Sequence, residues 1–323
     1  MTQSQPIVLL HTDAPETARA IVGAAHPDLA VHCCDSYAGL PTALAETRAE
    51  VVYSVRFAGT PGFPRKGLVD SSMVRWVSVG GSGTDHLTPW NTAQVKVTNA
   101  AGVASDLMAE YALGAMLSFA LDLRGFARAQ AQRRWGGGRV SMIEGRTLLI
   151  LGLGHTGCAA ARRAKAMGMN VLGVRARARP TEHVDEVHGM DALPDLWARA
   201  DFVLVCVPLL PSTRGLVGAD AFRAIKRGAV LIDVSRGGVV VESALIPALT
   251  DGRLKGAALD VFETEPLPED HPFWGMENVI LTPHCSSVFD GWEEKSVAMF
   301  VENLWRYRRG ETLCNIVDPE RGY

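Results

Sequence analysis

Several features that would announce a special environment are scarce or missing in this sequence. The six cysteines, Cys33, Cys34, Cys158, Cys206, Cys285 and Cys314, form no C-x-x-C pair, and most sit among apolar residues or glycines. That argues against a zinc site or a disulfide scaffold, and for reduced thiols in a cytoplasmic protein. Cys33 and Cys34 are adjacent and cannot easily close an ordinary disulfide with each other. No apolar run is long enough to span a membrane. The N-terminal MTQSQPIVLLHT lacks the basic region and the apolar core of a secretory signal. A surplus of charge of one sign is missing too. The net charge is −3, so no global field favours nucleic acid or an acidic membrane.

What is present is ordinary in bulk and specific in pattern. The chain has 323 residues, 47% hydrophobic and 21% charged, as expected of a soluble enzyme with room for two domains. Short apolar runs alternate with helical stretches. Strands are expected at Ile7–Leu10, Leu29–Cys33, Val51–Val55, Val74–Val79 and Val95–Thr98. Helices are expected at Glu16–Ala25, led by Pro15, and Thr42–Glu50, opened by Pro41. Ala58–Gly67 is expected to be a loop. A long apolar helix is expected over Val103–Leu123, followed by a basic one to Trp135 that Gly136–Gly138 ends. After the central motif come strands at Phe202–Val207, Ala229–Val234, Ala257–Leu259 and Val279–Leu281. Helices are expected at Asp191–Arg199, Ala221–Lys226, Glu242–Asp251 and Phe289–Arg308, the last with Trp292, Phe300, Leu304 and Trp305 in its core. This alternation points to an α/β protein built on parallel sheets.

The densest signal lies between Thr147 and Arg175, TLLILGLGHTGCAAARRAKAMGMNVLGVR. An apolar strand leads into Gly152, Gly154 and Gly157 with G-x-G-x-x-G spacing, then a small-residue helix and a second strand. The first glycine makes the tight turn, the second lets backbone approach a pyrophosphate, and the third lets helix and strand pack closely. The helix N-terminus then faces the phosphates. At the end of the second strand an acidic residue would hold the ribose hydroxyls of NAD. Arg175 stands there instead, followed by Arg177 and Arg179, which suits a 2′-phosphate and hence NADP. The plainer alternative is a solvated basic loop.

Other polar clusters carry less. GGSGTDH, Gly80 to His86, follows a strand and offers backbone amides to a carboxylate. It misses the G-x-S-x-G elbow of hydrolases, because Thr84 follows Gly83. His183, Asp185, Glu186 and His188 have no metal-ligand spacing, so a solvated loop and no metal site are expected. Arg236, Glu265 and His284 follow strands downstream of the glycine motif. Together they supply what reduction of a 2-keto acid needs. A guanidinium fork holds the carboxylate and keto oxygen, an imidazolium donates a proton, and a carboxylate orients the imidazole.

The whole pattern resembles the D-isomer-specific 2-hydroxyacid dehydrogenases. The resemblance rests on GGSGTDH, AEYALGAML, GLGHTG, CVPLLPSTRGLV, DVSRGGVV, ALDVFETEPLPEDHPFW and LTPHCSS. It implies an α/β fold of two doubly wound, Rossmann-like or flavodoxin-like parallel-sheet domains, with the cofactor domain inserted in the substrate domain. Residues 1–98 and 288–323 would form the substrate domain and 99–287 the dinucleotide-binding domain. Arg236 would bind and polarise the substrate, His284 would be the acid/base, and Glu265 its partner. His155 and Thr156 would lie on the pyrophosphate, and Cys206, Pro208 and Thr213 on the adenine side. Asp260 would meet the nicotinamide carboxamide, with Ser235 and Ser287 also on the cofactor. The backbone of Ser82 and Gly83 would meet the substrate carboxylate. Arg56 in SVRF would reach a second anionic group or stay solvated. The resemblance implies a homodimer acting on a small 2-keto or 2-hydroxy acid such as glyoxylate or hydroxypyruvate; Arg175, where the family commonly has an acidic residue, favours NADPH over NADH. Two rival readings are a non-catalytic dinucleotide-sensing interaction protein and a dehydrogenase of an unusual substrate such as phosphite.

Overall fold

The computed structural model describes residues 5–57, 60–136 and 138–322. Ala58 and Gly59 of the expected loop, and Gly137 of the expected helix stop, lie outside the described residues. In chain order the elements are β1 Val8–His11, α1 Pro15–Ala25, β2 Val31–Cys34, α2 Leu40–Thr47, β3 Val51–Ser54, α3 Arg65–Val69, β4 Trp76–Val79 and β5 Lys96–Asn99. There follow α4 Ser105–Ala120, α5 Leu123–Ala131, β6 Thr147–Leu151, α6 His155–Ala166, β7 Asn170–Val174, β8 Glu186–His188, α7 Leu193–Leu196 and β9 Phe202–Val205. The chain closes with α8 Ala219–Ala224, β10 Ala229–Asp233, α9 Glu242–Thr250, β11 Leu254–Leu259, β12 Val279–Leu281 and α10 Trp292–Arg308.

The chain divides into two compact units, Met1–Val103 with Phe289–Tyr323, and Ala104–Val288. The first is a five-stranded parallel sheet in the order β2-β1-β3-β4-β5. Alternate side chains of β1 point to opposite faces, as a strand requires. Val8 and Leu10 pack with Ala18 and Val22 of α1 and with Val297, Phe300 and Leu304 of α10. Leu9 packs on the other face with Leu40 and Leu44 of α2 and Leu68 of α3.

The second unit is a seven-stranded parallel sheet, β12-β11-β10-β9-β6-β7-β8. Leu148 and Ile150 of β6 face Ala109, Ala112 and Met116 of α4 and Ala160, Ala161 and Ala164 of α6. Leu149 and Leu151 face Leu193 and Leu196 of α7, Phe222 of α8 and Leu245 of α9. Small residues, Ala109, Ala112, Ala160, Ala161 and Ala164, make up much of what α4 and α6 bring to this core. The strand order reverses at β6, which has β7 on one side and β9 on the other. That is the crevice where ligands of open α/β sheets bind.

Some local expectations need correction. Arg65–Val69 forms α3 within and beyond the expected loop, with Leu68 and Val69 buried in the core. The apolar and basic helices expected after Val103 are present but shorter, as α4 Ser105–Ala120 and α5 Leu123–Ala131, with Asp122 at a left-handed φ of 49° between them. Asp191–Arg199 is a short α-helix flanked by two 3-10 turns. Glu186–His188 is not loop but edge strand β8, paired parallel to β7. On α10, Phe300 and Leu304 are buried as expected, but Trp305 is 38% exposed and carries the guanidinium groups of Arg308 and Arg309 over its ring. No helix among the described residues is long and apolar enough to cross a membrane.

Candidate active site

The glycine motif occupies the β6–α6 turn. Gly152 has φ 104°, and a Cβ there would stand 2.9 Å from the Cys206 carbonyl oxygen. A Cβ at Gly157 would stand 2.0 Å from the Gly152 carbonyl oxygen, so α6 can leave the strand this tightly only with glycine. Gly154 caps α6 and faces open space, with nothing within 4 Å of a Cβ built on it. The first turn of α6 carries no acidic residue and no side-chain cap. Its amides and the positive helix end are therefore available to an anion, and the site fits a dinucleotide pyrophosphate. His155 is exposed, and Thr156 is half-buried with its hydroxyl 3.6 Å from Met108 Sδ.

Arg175 follows β7, and its backbone N–H donates to His188 O across to β8. Its side chain is half-exposed, while Arg177 and Arg179 are exposed. Among the described residues, none of the three guanidinium groups has a hydrogen-bond or ion-pair partner. The neighbouring acids are otherwise engaged: Asp185 pairs with Lys165 at 2.8 Å, and Glu186 with Arg199 and His188.

At the end of β9 the Cys206 thiol reaches Leu151 O at 3.3 Å and Gly152 O at 3.1 Å, bracing the glycine turn. Burial, reinforced by Cys158 and Asp233, pushes this thiol up to about 12, so it stays protonated and can donate. Thr213 Oγ1 donates to Pro208 O at 2.6 Å and accepts from Leu210 N at 2.8 Å. Its hydroxyl thus folds the loop that carries half-buried Pro208.

The chemistry-bearing side chains stand beyond β10, β11 and β12. Asp233 ends β10, and its Oδ1 accepts from Ser235 N at 2.9 Å and Ser235 Oγ at 2.5 Å. Burial pushes Asp233 up to about 7 against these bonds. The nearby Asp260 carboxylate adds to the rise and Arg236 opposes it. The anchored turn presents Arg236, whose Nη1 donates to Ser235 O at 2.7 Å. Asp260 follows β11 and is 1% exposed. Its oxygens accept from Thr282 Oγ1 at 2.7 Å, Cys285 N at 2.9 Å, Ser286 N at 3.1 Å and Ser286 Oγ at 2.5 Å. Ser287 is half-buried just beyond this loop.

Within that loop His284 Nδ1 lies 2.8 Å from Glu265 Oε2, while Glu265 Oε1 accepts from Phe262 N at 3.1 Å. Burial opposes ionisation of Glu265. The His284 bond and charge, the Phe262 amide and the Arg236 charge outweigh it and hold the carboxyl below the usual range. The acid is therefore a carboxylate, fixed against the imidazole. Asp233 and Tyr111, whose hydroxyl meets Thr282 at 3.0 Å, were not singled out from the sequence. The D-x-S spacing of Asp233 and Ser235 was a readable signal, while Tyr111 offered none.

The first unit carries the remaining candidates. Arg56 is exposed between buried Val55 and Phe57, and Phe57 N donates to Tyr37 Oη at 2.7 Å. Ser82 O accepts from Asn99 Nδ2 at 2.6 Å, and Ala100 N donates to Gly81 O at 2.9 Å, so the turn is pinned from β5. Ser82 is exposed and Gly83 half-buried. Among the described residues no group of three or more His, Cys, Asp or Glu side chains could hold a metal.

A dinucleotide turn at a sheet crevice, with an Arg and a His–Glu pair beyond the strand ends of the same unit, defines a nicotinamide-dependent oxidoreductase. The family model "D-isomer specific 2-hydroxyacid dehydrogenase, NAD binding domain" matches residues 113–286. The chain is 36% identical to a glyoxylate reductase of Korarchaeum cryptofilum over 70% of each sequence. A D-isomer specific 2-hydroxyacid dehydrogenase from Xanthobacter autotrophicus, solved with NADPH and MES, is 34% identical. It aligns over 99% of this chain and 100% of that one with a TM-score of 0.85. An NADPH-dependent glyoxylate/hydroxypyruvate reductase from Sinorhizobium meliloti, solved with NADP and sulfate, is 27% identical. It aligns over 99% and 100% with a TM-score of 0.83. The chain belongs to the D-isomer specific 2-hydroxyacid dehydrogenase family and is an NAD(P)-dependent 2-hydroxyacid dehydrogenase, acting on the CH–OH group of its donor.

Proposed function

We propose that this enzyme reduces small 2-keto acids such as glyoxylate or hydroxypyruvate to D-2-hydroxy acids, with NADPH favoured over NADH. The observation that carries the reading is the 2.8 Å contact between His284, on the loop after β12, and Glu265, on the loop between β11 and β12. Arg236 holds the substrate carboxylate and draws charge onto the keto oxygen. The bound nicotinamide supplies the hydride. His284 gives its proton to the keto oxygen as the alkoxide forms and recovers one from solvent; Glu265 keeps the ring oriented and balances its charge. Exposed Ser82 and half-buried Gly83 offer backbone amides to the substrate carboxylate, and Arg56 serves substrates with a second anionic group. On this reading the unit of Met1–Val103 and Phe289–Tyr323 is the substrate domain, and Ala104–Val288 is the cofactor domain.

Among the described residues the guanidinium groups of Arg175 and Arg177 have no partner, which supports the NADPH preference, since a 2′-phosphate gives them a doubly charged acceptor. His155 and Thr156, at the start of α6, lie on the pyrophosphate. Exposed Leu123 and Phe126 on α5 support a homodimer, to be checked by light scattering. Six free cysteines suit a cytoplasmic setting. The deciding experiment is a steady-state panel of glyoxylate, hydroxypyruvate, phenylpyruvate and oxaloacetate, each with NADPH and NADH. Preferential turnover of the two smallest keto acids with NADPH is expected. Equal or better use of NADH would refute the cofactor preference, and failure with every keto acid would refute the substrate class.

A further inference from the structure

Tyr111 lies on α4, well before the glycine motif in sequence, and the reaction described above does not use it. Its phenol reaches the loop after β12, where Thr282 Oγ1 is 3.0 Å from Tyr111 Oη and 2.7 Å from Asp260 Oδ1. Thr282 has a single hydroxyl proton. The Asp260 carboxylate already accepts from Cys285 N, Ser286 N and Ser286 Oγ, and it takes the Thr282 proton as well. The Tyr111 O–H is then left to donate to the Thr282 oxygen. The chain therefore has a direction, from Tyr111 through Thr282 to Asp260. Burial pushes the Tyr111 phenol up to about 12. The Thr282 bond pulls against the rise, while the charges of Asp260, Cys285 and Asp233 add to it. The donor thus keeps its proton at any working pH.

The loop so held is unusual. His284 has φ 50°, in the left-handed region that non-glycine residues seldom occupy, and its N–H donates to Thr282 O at 3.0 Å. The loop is fastened to Asp260 on both sides of His284: by the Thr282 hydroxyl before it, and by the Cys285 and Ser286 amides after it. Such a conformation persists only where its surroundings over-determine it. We propose that Tyr111 is a positioning residue for His284, its hydroxyl acting through Thr282 and Asp260 to hold the loop in which the imidazole meets Glu265. The proposal rests on His284 being the proton donor.

The test is a double-mutant cycle on the full-length enzyme with NADPH and glyoxylate. Tyr111→Phe removes only the hydroxyl and lowers kcat about threefold to tenfold, the effect of one neutral hydrogen bond. Thr282→Val lowers kcat at least as far. The double variant is no worse than Thr282→Val alone, because Tyr111 acts only through Thr282. Thr282→Ser keeps the hydroxyl and restores kcat. Cofactor affinity, measured by quenching of protein fluorescence, stays within about twofold in all four, which separates loop positioning from general damage to the fold. A Tyr111→Phe kcat equal to wild type, effects that multiply in the double variant, or a Thr282→Ser variant as slow as Thr282→Val would each overturn the proposal. His284→Ala, run alongside, isolates the premise. If that variant keeps wild-type turnover, His284 is not the proton donor, whatever Tyr111 does.

Discussion

His11 makes the first unit sensitive to acid, and the size of the effect can be worked out. The ring ends β1 and is 0% exposed. Its Nδ1 meets Ser54 Oγ at 2.9 Å, while Nε2 is buried without a partner among the described residues. Tyr37, Phe57 and Phe63 surround it, with centroids 5.6, 4.9 and 6.4 Å away. Burial lowers its pKa from 6.5 to about 4, with the Ser36 backbone opposing. A histidine with a depressed folded pKa contributes stability that is complete above the unfolded value and is lost as pH falls toward the folded one. With these two values the loss is about 2 kcal/mol by about pH 5 and about 3 kcal/mol by about pH 4. His26, also shifted down by burial, acts in the same direction, so wild type alone does not isolate His11. The comparison needed is urea unfolding of wild type and His11→Asn, which cannot charge, at neutral pH and at about pH 5. The variant is expected to lose about 2 kcal/mol less stability over that interval. Equal losses in the two proteins would refute the reasoning.

The other predictions concern the second unit. His284→Ala should lower kcat by about 10²–10⁴-fold while cofactor affinity in a fluorescence titration stays near wild type. Arg175→Asp should reverse the proposed NADPH preference, with a change of about tenfold or more in the ratio of kcat/KM values for the two cofactors. Gly157→Ala places a methyl 2.0 Å from the Gly152 carbonyl oxygen. The turn must move, and dinucleotide affinity should fall about a hundredfold by calorimetry.

The alternation of apolar runs and the glycine spacing were enough to read two parallel-sheet units, because strand and helix periods leave strong local marks. The placement of Arg236, Glu265 and His284 after strands was readable too, and the structure sets His284 against Glu265. What escaped depended on contacts far apart in sequence. Edge strand β8 is polar, and only pairing with β7 makes it a strand. Trp305 lies five residues after Phe300, about 140° around α10, and is 38% exposed with Arg308 and Arg309 over its ring. Tyr111 meets Thr282 only after the whole sheet has formed.

The two halves of the candidate site are built by the same device. A buried aspartate at a strand end accepts the amide and hydroxyl of a nearby serine, and the functional side chain sits on the backbone so held. Asp233 does this with Ser235, and Arg236 is the next residue. Asp260 does it with Ser286, and His284 lies two residues before that serine. Short side chains with few rotatable bonds fix the loop backbone at small entropic cost, leaving the longer Arg and His to reach outward. A bidentate fork and a proton donor both lose effect steeply with misplacement, so the rigid carboxylate beneath each turn matters as much as the residue above it. The two aspartates differ in what they hold. Asp233 supports one turn, whereas Asp260 gathers Thr282, Cys285 and Ser286 and so sets the approach of His284 to Glu265. Loosening Asp260 therefore moves His284, the proton donor of the proposed reaction, and loosening Asp233 moves Arg236, its proposed carboxylate-binding group.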